Sequence, residues 1–221
     1  MSRSSMFTTM VAVAMACGFA IALVFQATAG QIERNRAALL EEAVGQVLPG
    51  TATTNGYAID EHTVTAVAVD QAEFITGYDD NGTLIGVAIP ASIMGYQDTI
   101  RMLFGYDPSR EVLTGFAVLA SRETPGLGSK IGTDPAFLAS LTGLDLRLAG
   151  STLANEITLA TRGDARESWQ IDGITGATIS SNAVIQAINA AAPRLVAIRA
   201  RLPEIEVTAE TQAASEESGD A

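Results

Sequence analysis

The residues between Asp172 and Ser181 bring one carboxylate and four hydroxyls into ten positions, with Asp172, Thr175, Thr178, Ser180 and Ser181 spaced around Gly176 and Ala177. Val184, Ala187, Ile188 and Ala191 then recur at helical spacing, so Ser180 or Ser181 is expected to cap a helix. Thr178 falls on the approach to that helix. Unpaired backbone N–H groups and the positive end of the helix dipole favour a phosphate there. Gly176 and Ala177 leave the approach uncrowded for a bulky group joined to a hydroxyl. The plain alternative is a hydroxyl-rich turn that only caps a helix, and on residue types alone that arrangement is the commoner one.

A second polar stretch lies upstream, at Arg122, Glu123, Thr124, Pro125, Gly126, Leu127, Gly128, Ser129 and Lys130. Pro-Gly followed by a second Gly makes a tight loop, with Glu and Lys free for polar contacts. By composition it is an ordinary connector. Other chemistry is narrowed by what the chain lacks. One Cys and one His leave no disulfide framework, Cys-rich metal site or Cys/His dyad, so no metal site is expected and redox work requires an organic cofactor or a partner chain. A net charge of −12 argues against nucleic-acid binding, which needs a basic footprint.

The elements that must position these residues follow in chain order. Phe7 to Phe25 is nineteen residues without a charge, a transmembrane candidate at helical rise. A cleaved signal peptide is the rival, since Ala27-Thr28-Ala29 resembles a cleavage site, but the apolar run is long for one. An uncleaved anchor is preferred, with Cys17 a buried small apolar residue in mid-span. Gln31 to Val47 reads as an amphipathic helix with Leu39, Leu40, Ala43, Val44 and Val47 on one face, closed by Pro49-Gly50. It either packs on the domain or forms a stalk. Strands are expected at His62–Asp70, Phe74–Tyr78, Thr83–Ile89, Thr99–Phe104 and Val112–Leu119, with Asn81-Gly82 marking a hairpin. That succession argues for an antiparallel sheet. His62 is expected at a strand edge without a ligand role. A helix should start at Thr133-Asp134-Pro135, shorter strands at Leu144–Leu148 and Ile157–Leu159, and Trp169 should pack. Pro193 should end or kink the last motif helix. Past Pro203 the chain is acidic throughout and expected to be a disordered, solvated tail.

Asp-x-x-Thr-Gly-Ala-Thr followed by Ser-Ser resembles the flavinylation motif of the Rnf-complex G subunit and of the C subunit of Na+-pumping NADH:quinone reductase. Glu123-Thr-Pro-Gly-Leu-Gly128 resembles a second motif of that family, and it lies upstream as the family pattern requires. Gly95-Tyr96 ahead of a strand matches a further family position. One departure is Thr175, where many members carry Ser. The resemblance covers roughly Phe7 to Leu202 and is strongest at the two motifs.

The resemblance implies an α+β fold: a single N-terminal transmembrane helix (1–30), one FMN-binding domain with an antiparallel sheet and flanking helices (31–203), and the acidic tail (204–221). It implies FMN joined by a phosphoester to Thr178, placed there from FAD by a separate flavin transferase. Asp172, Thr175, Gly176, Ala177, Ser180 and Ser181 are then cofactor-binding, Asp172 being a candidate for recognition by the transferase. Glu123, Thr124, Leu127, Gly128 and Lys130 line the ring, and Tyr96 either stacks near it or packs in the core. No side chain acts as a catalytic residue; the flavin does the chemistry. The implied function is an electron carrier in an Rnf-type complex moving electrons between ferredoxin and NAD, coupled to Na+ or H+ transport. Membrane and iron–sulfur subunits are the implied partners, and the bacterial inner membrane the location, with the domain on the periplasmic side. Alternatives are the C-type component of the quinone reductase, a stand-alone flavinylated carrier, or, in another class, a non-redox anchored binding or assembly protein.

Overall fold

A computed structural model describes residues 3–59 and 63–217. His62 lies outside the described residues. The chain divides into two compact units, Met1–Glu41 and Glu42–Ala221.

The first unit lies on one helix, α1 (Arg3–Val47). The expected anchor and the expected amphipathic helix are one uninterrupted element, because no glycine or proline before Pro49 stops it. Met6, Phe7, Met10, Phe19 and Phe25 are all more than half exposed, and the helix is long and apolar enough to cross a membrane. Cys17 is exposed as well.

The second unit is built on six strands: β1 (Thr53–Ile59), β2 (Val64–Val67), β3 (Phe74–Tyr78), β4 (Leu84–Met94), β5 (Thr99–Asp107) and β6 (Val112–Ala120). They form one antiparallel sheet in the order β2-β1-β3-β4-β5-β6. The β3–β4 turn is the expected one: the Asp79 carboxylate accepts from the amides of Asn81 (2.9 Å) and Thr83 (2.8 Å), and Gly82 takes φ +77°, a conformation glycine allows at no steric cost. Helices α2 (Pro135–Leu141), α3 (Thr178–Ala190) and α4 (Ala192–Glu217) follow, with short pairs β7 (Leu148–Ala149) with β8 (Thr152–Leu153), and β9 (Thr158–Ala160) with β10 (Gln170–Asp172). Asp134 caps α2 by accepting from Ala136 and Phe137, as its sequence suggests. The residues around Leu144 are buried but join the large sheet only by the Val112–Asp145 bridge, so the expected strand is reduced to β7.

Side-chain alternation gives the sheet two unlike faces. Phe74, Val87, Ile89, Met102, Phe104, Tyr106 and Leu113 share one core with Val184, Ile188 and Leu195 of α3 and α4. Trp169 packs against that core as expected. The other face carries glycines in register, Gly77 opposite Gly86 and Gly105 opposite Gly115. Val47 and Leu48 occupy the trough they leave. A Cβ at Gly115 would lie 2.7 Å from Val47 Cα, and one at Gly77 or Gly86 would lie within 3.0 Å of a Leu48 methyl. Thr114 Oγ1 donates to the Val47 carbonyl at 2.6 Å, satisfying an acceptor that the end of a helix leaves free. Ala43, Val44 and Val47 are buried, whereas Leu39 is 56% exposed, so only the last turns of the expected apolar face pack.

The break at Pro193 is observed between α3 and α4. Pro203, however, lies inside α4, and Ile205 beyond it is buried in the core. The packed domain therefore runs past the expected boundary at residue 203, and backbone helix continues to Glu217 where a disordered tail is expected from composition. Pro203 lacks the amide of one helical hydrogen bond, while Leu202 and Ile205 keep the segment on the core.

Candidate functional site

Helix α3 begins at Thr178, ahead of where a serine cap would place it. Its N-cap is Ala177, whose carbonyl accepts from the Ser181 amide at 2.9 Å, and no side chain caps it. The start is set by the preceding turn: Gly176 takes φ +82°, and the Ala177 amide returns to the Ile174 carbonyl at 3.0 Å. Ala177 is 4% exposed, so a small residue is demanded there by packing. With no hydroxyl over the helix end, the amides of Thr178, Ile179 and Ser180 have no carbonyl four residues back within the helix to bond. Thr178 is exposed, as are Thr175 and Gly176.

Ser180 and Ser181 are buried instead of capping. Ser180 Oγ donates to Glu123 Oε2, and Ser181 Oγ is sealed in with no partner among the described residues. Glu123 is 5% exposed, and its second oxygen, Oε1, accepts from the Gln97 amide at 2.9 Å. Burial alone pushes this carboxyl up. Hydrogen bonds from Ser180 and from the amides of Gln97, Asp98 and Tyr96 outweigh it and hold the group below the usual carboxylate range. Two glycines give Glu123 its space. A Cβ at Gly95 would lie 2.6 Å from Oε1, and one at Gly128 would strike Oε2 and approach Ser180 Oγ to 2.6 Å. Thr124 Oγ1 donates to Gln97 Oε1 at 3.2 Å. Glu123 thus draws the β4–β5 turn, the 123–128 loop and the start of α3 together.

The two sequence motifs also meet directly: a Cβ at Gly176 would sit 3.1 Å from Leu127 Cδ2. Met94 (66%), Tyr96 (69%), Leu127 (47%) and Ile179 (55%) are exposed. Among the described residues they are the only large hydrophobics outside α1 so exposed, and all four lie on the elements joined by Glu123. Met94 and Ile179 were not singled out by sequence reasoning; the signal for Ile179 was an apolar residue beside Thr178 at a helix start.

Asp172 is elsewhere engaged. Its Oδ1 accepts from the amides of Gly163 (2.8 Å) and Ala165 (3.2 Å), and its own amide bonds Ser140 Oγ at 3.1 Å. It secures the turn beside β10 and is not on the exposed rim. Lys130 is half-buried on the turn after Leu127 and makes no ion pair among the described residues. The candidate residues therefore divide. Thr175, Gly176, Thr178, Leu127 and Tyr96 are presented to solvent. Glu123, Gly128, Ala177, Ser180 and Ser181 are buried beneath them and build the platform.

The far end of α3 is fixed too. Asn189 bonds both the amide (2.9 Å) and the carbonyl (3.0 Å) of Ile157, and Arg194 of α4 donates to the carbonyls of Pro90 (2.9 Å) and Glu73. The helix start is therefore held on a rigid scaffold. An open helix N-terminus with an exposed hydroxyl and, among the described residues, no side chain capping its first amides suits a phosphate, and the neighbouring apolar rim suits a planar ring. The residues present fit a flavin mononucleotide.

Comparison with known proteins agrees. The family profile described as an FMN-binding domain matches residues 95–192, which contain both motifs. The chain is 30% identical over 193 residues to the G subunit of the ion-translocating oxidoreductase complex of Methanosarcina acetivorans, covering 85% of this chain and 92% of that one. It is 30% identical over 179 residues to the G subunit of the Na(+)-translocating ferredoxin:NAD(+) oxidoreductase complex of Acetobacterium woodii, covering 77% and 80%. The crystal structure of the C subunit of Na(+)-translocating NADH-quinone reductase from Parabacteroides distasonis superimposes with a TM-score of 0.55, covering 73% of this chain and 94% of that one at 14% identity. That likeness concerns the fold.

Proposed function

We propose, from the premise that this chain belongs to the family of the G subunit of ion-translocating oxidoreductase complexes, that it is a membrane-anchored, covalently flavinylated electron carrier of an Rnf-type complex. In that complex electrons pass between ferredoxin and NAD and drive Na+ or H+ across the membrane. The observation that carries the reading is the exposed Thr178 hydroxyl at an uncapped helix start, beside the apolar rim of Tyr96, Leu127 and Ile179.

FMN supplies reversible electron transfer when bound. This chain's residues hold and orient it. The amides of Thr178, Ile179 and Ser180 would hold the phosphate, Gly176 would keep the approach clear, and Leu127 and Tyr96 would wall the ring, with Lys130 and Thr124 at the loop as polar neighbours. Attachment is a phosphoryl transfer catalysed by a flavin transferase. In that transfer the Thr178 Oγ–phosphorus bond would form as the pyrophosphate bridge of FAD breaks, AMP leaving with the bonding electron pair and the hydroxyl proton being released. Thr178 is an attachment point, not a nucleophile in turnover.

Helix α1 supplies the membrane anchor. The domain sits on the periplasmic side of the bacterial inner membrane, where membrane and iron–sulfur subunits deliver and remove electrons. The chain alone completes no overall reaction. Denaturing gels read for in-band flavin fluorescence test the proposal: co-expression with the transferase should give a fluorescent band, and Thr178→Ala should abolish it without unfolding the domain. A dark wild-type band favours a non-redox binding role. Persistent fluorescence in the variant moves the attachment, with Thr175 next.

A further inference from the structure

The buried polar link between Glu123 and Ser180 has no part in holding a flavin directly, since both carboxylate oxygens are taken by protein donors. It joins residues 57 apart in sequence, and both of its side chains are buried. Among the described residues the fully or nearly buried polar side chains are Thr76, Glu123, Asp145, Ser180 and Ser181; two of the five form this link. A buried carboxylate is costly unless every lone pair is used. Holding one here requires a compensating arrangement, and Gly95 and Gly128 provide it by leaving no Cβ where the oxygens lie.

The position of the link matters more than its strength. Ser180 is the third residue of α3, two residues after Thr178 and within the same turn. Its hydroxyl could have folded back over the helix end or turned outward to solvent. Bonded to Glu123, it fixes the rotation of that first turn against the 123–128 loop, leaving Thr178 outward and the helix end uncapped. The other oxygen of the same carboxylate fixes the turn bearing Tyr96.

We propose that Glu123, acting through Ser180, is a positioning residue for flavin attachment: it sets the first turn of α3 so that the Thr178 hydroxyl, the first amides of the helix and the Leu127–Tyr96 rim address one opening. The inference rests on Thr178 being the attachment site. Removing the link leaves the hydroxyl present but misaligned, and a displacement on the order of 1 Å costs about a hundredfold in a reaction that depends on orientation.

The test uses the full chain in detergent, with purified flavin transferase and FAD, following the initial rate of covalent incorporation against acceptor concentration. Ser180→Ala and Glu123→Ala should slow incorporation by about 10- to 100-fold, chiefly at saturating acceptor, and Ser180→Thr should recover most of the rate. Folded Ser180→Ala and Glu123→Ala chains that load at the wild-type rate overturn the proposal, and so does a Ser180→Thr chain as slow as Ser180→Ala. Hydrogen exchange on the unloaded chain gives a second reading, independent of the transferase. Glu123→Ala should speed exchange at the Gln97 amide by roughly tenfold or more and loosen residues 178–182; unchanged exchange at both places overturns the positioning role. Covalent flavin on Thr178→Ala would instead count against the attachment site, while the exchange result still judges the link.

Discussion

Two helix ends meet the same sheet and are treated in opposite ways. The C-terminus of α1 is closed: Val47 and Leu48 fill a trough of glycines, and Thr114 bonds the Val47 carbonyl. The N-terminus of α3 is left open, with no side chain over its first amides and Thr178 exposed. Both could have been capped by neighbouring hydroxyls. At α3 the available hydroxyls were withdrawn, one onto Glu123 and one into the core. A fold that closes one helix end so thoroughly and leaves the other bare has the contrast that the proposed attachment site requires.

Changes at the closed end should register as stability, and changes at the open end as loading. The largest expected effect is Leu48→Ala, which empties the trough where Leu48 is fully buried. It should cost about 2–5 kcal/mol, visible as a lowered midpoint in thermal or urea unfolding, with the intact fraction still able to take flavin. Thr114→Val keeps the shape but strands the Val47 carbonyl, for about 1–3 kcal/mol by the same measurement. At the open end Tyr96→Ser should change stability by no more than about 0.5 kcal/mol, yet alter the emission and quenching of the bound flavin. If Tyr96→Ser destabilises as much as Thr114→Val, the rim is structural and the contrast between the two ends fails.

Most of the sheet was readable because hydrophobic alternation and the Asn81-Gly82 turn act over a few residues. However, β1 (Thr53–Ile59), which lies between β2 and β3, was not expected, and the strand expected at His62–Asp70 is Val64–Val67. Phe74–Tyr78 came out with its bounds intact, and β4, β5 and β6 were found with ends displaced. The hydroxyl-rich stretch at Asp172–Ser181 stood out by its residue types, and the two motifs do lie together through Leu127 and Gly176. The roles within them were less readable. Glu123 and Asp172 have carboxylates that look available in a sequence, but each is consumed by backbone amides or a hydroxyl brought in by folding. Similarly, the start of α3 depends on the φ of Gly176, which a run of Thr, Ser and Ala does not declare. The glycine trough was hidden because a glycine inside a strand reads as a breaker. Its signal was there all the same: one glycine in the middle of each of four successive apolar runs, at positions 77, 86, 105 and 115.

The order β2-β1-β3-β4-β5-β6 keeps nearly every strand beside its neighbour in the chain. Such a meander closes small loops first and assembles quickly. Helix α3 begins at Thr178, 66 residues after β6 begins at Val112, and returns to cover β4, so the placement of Thr178 rests on long-range contacts that the meander by itself does not supply.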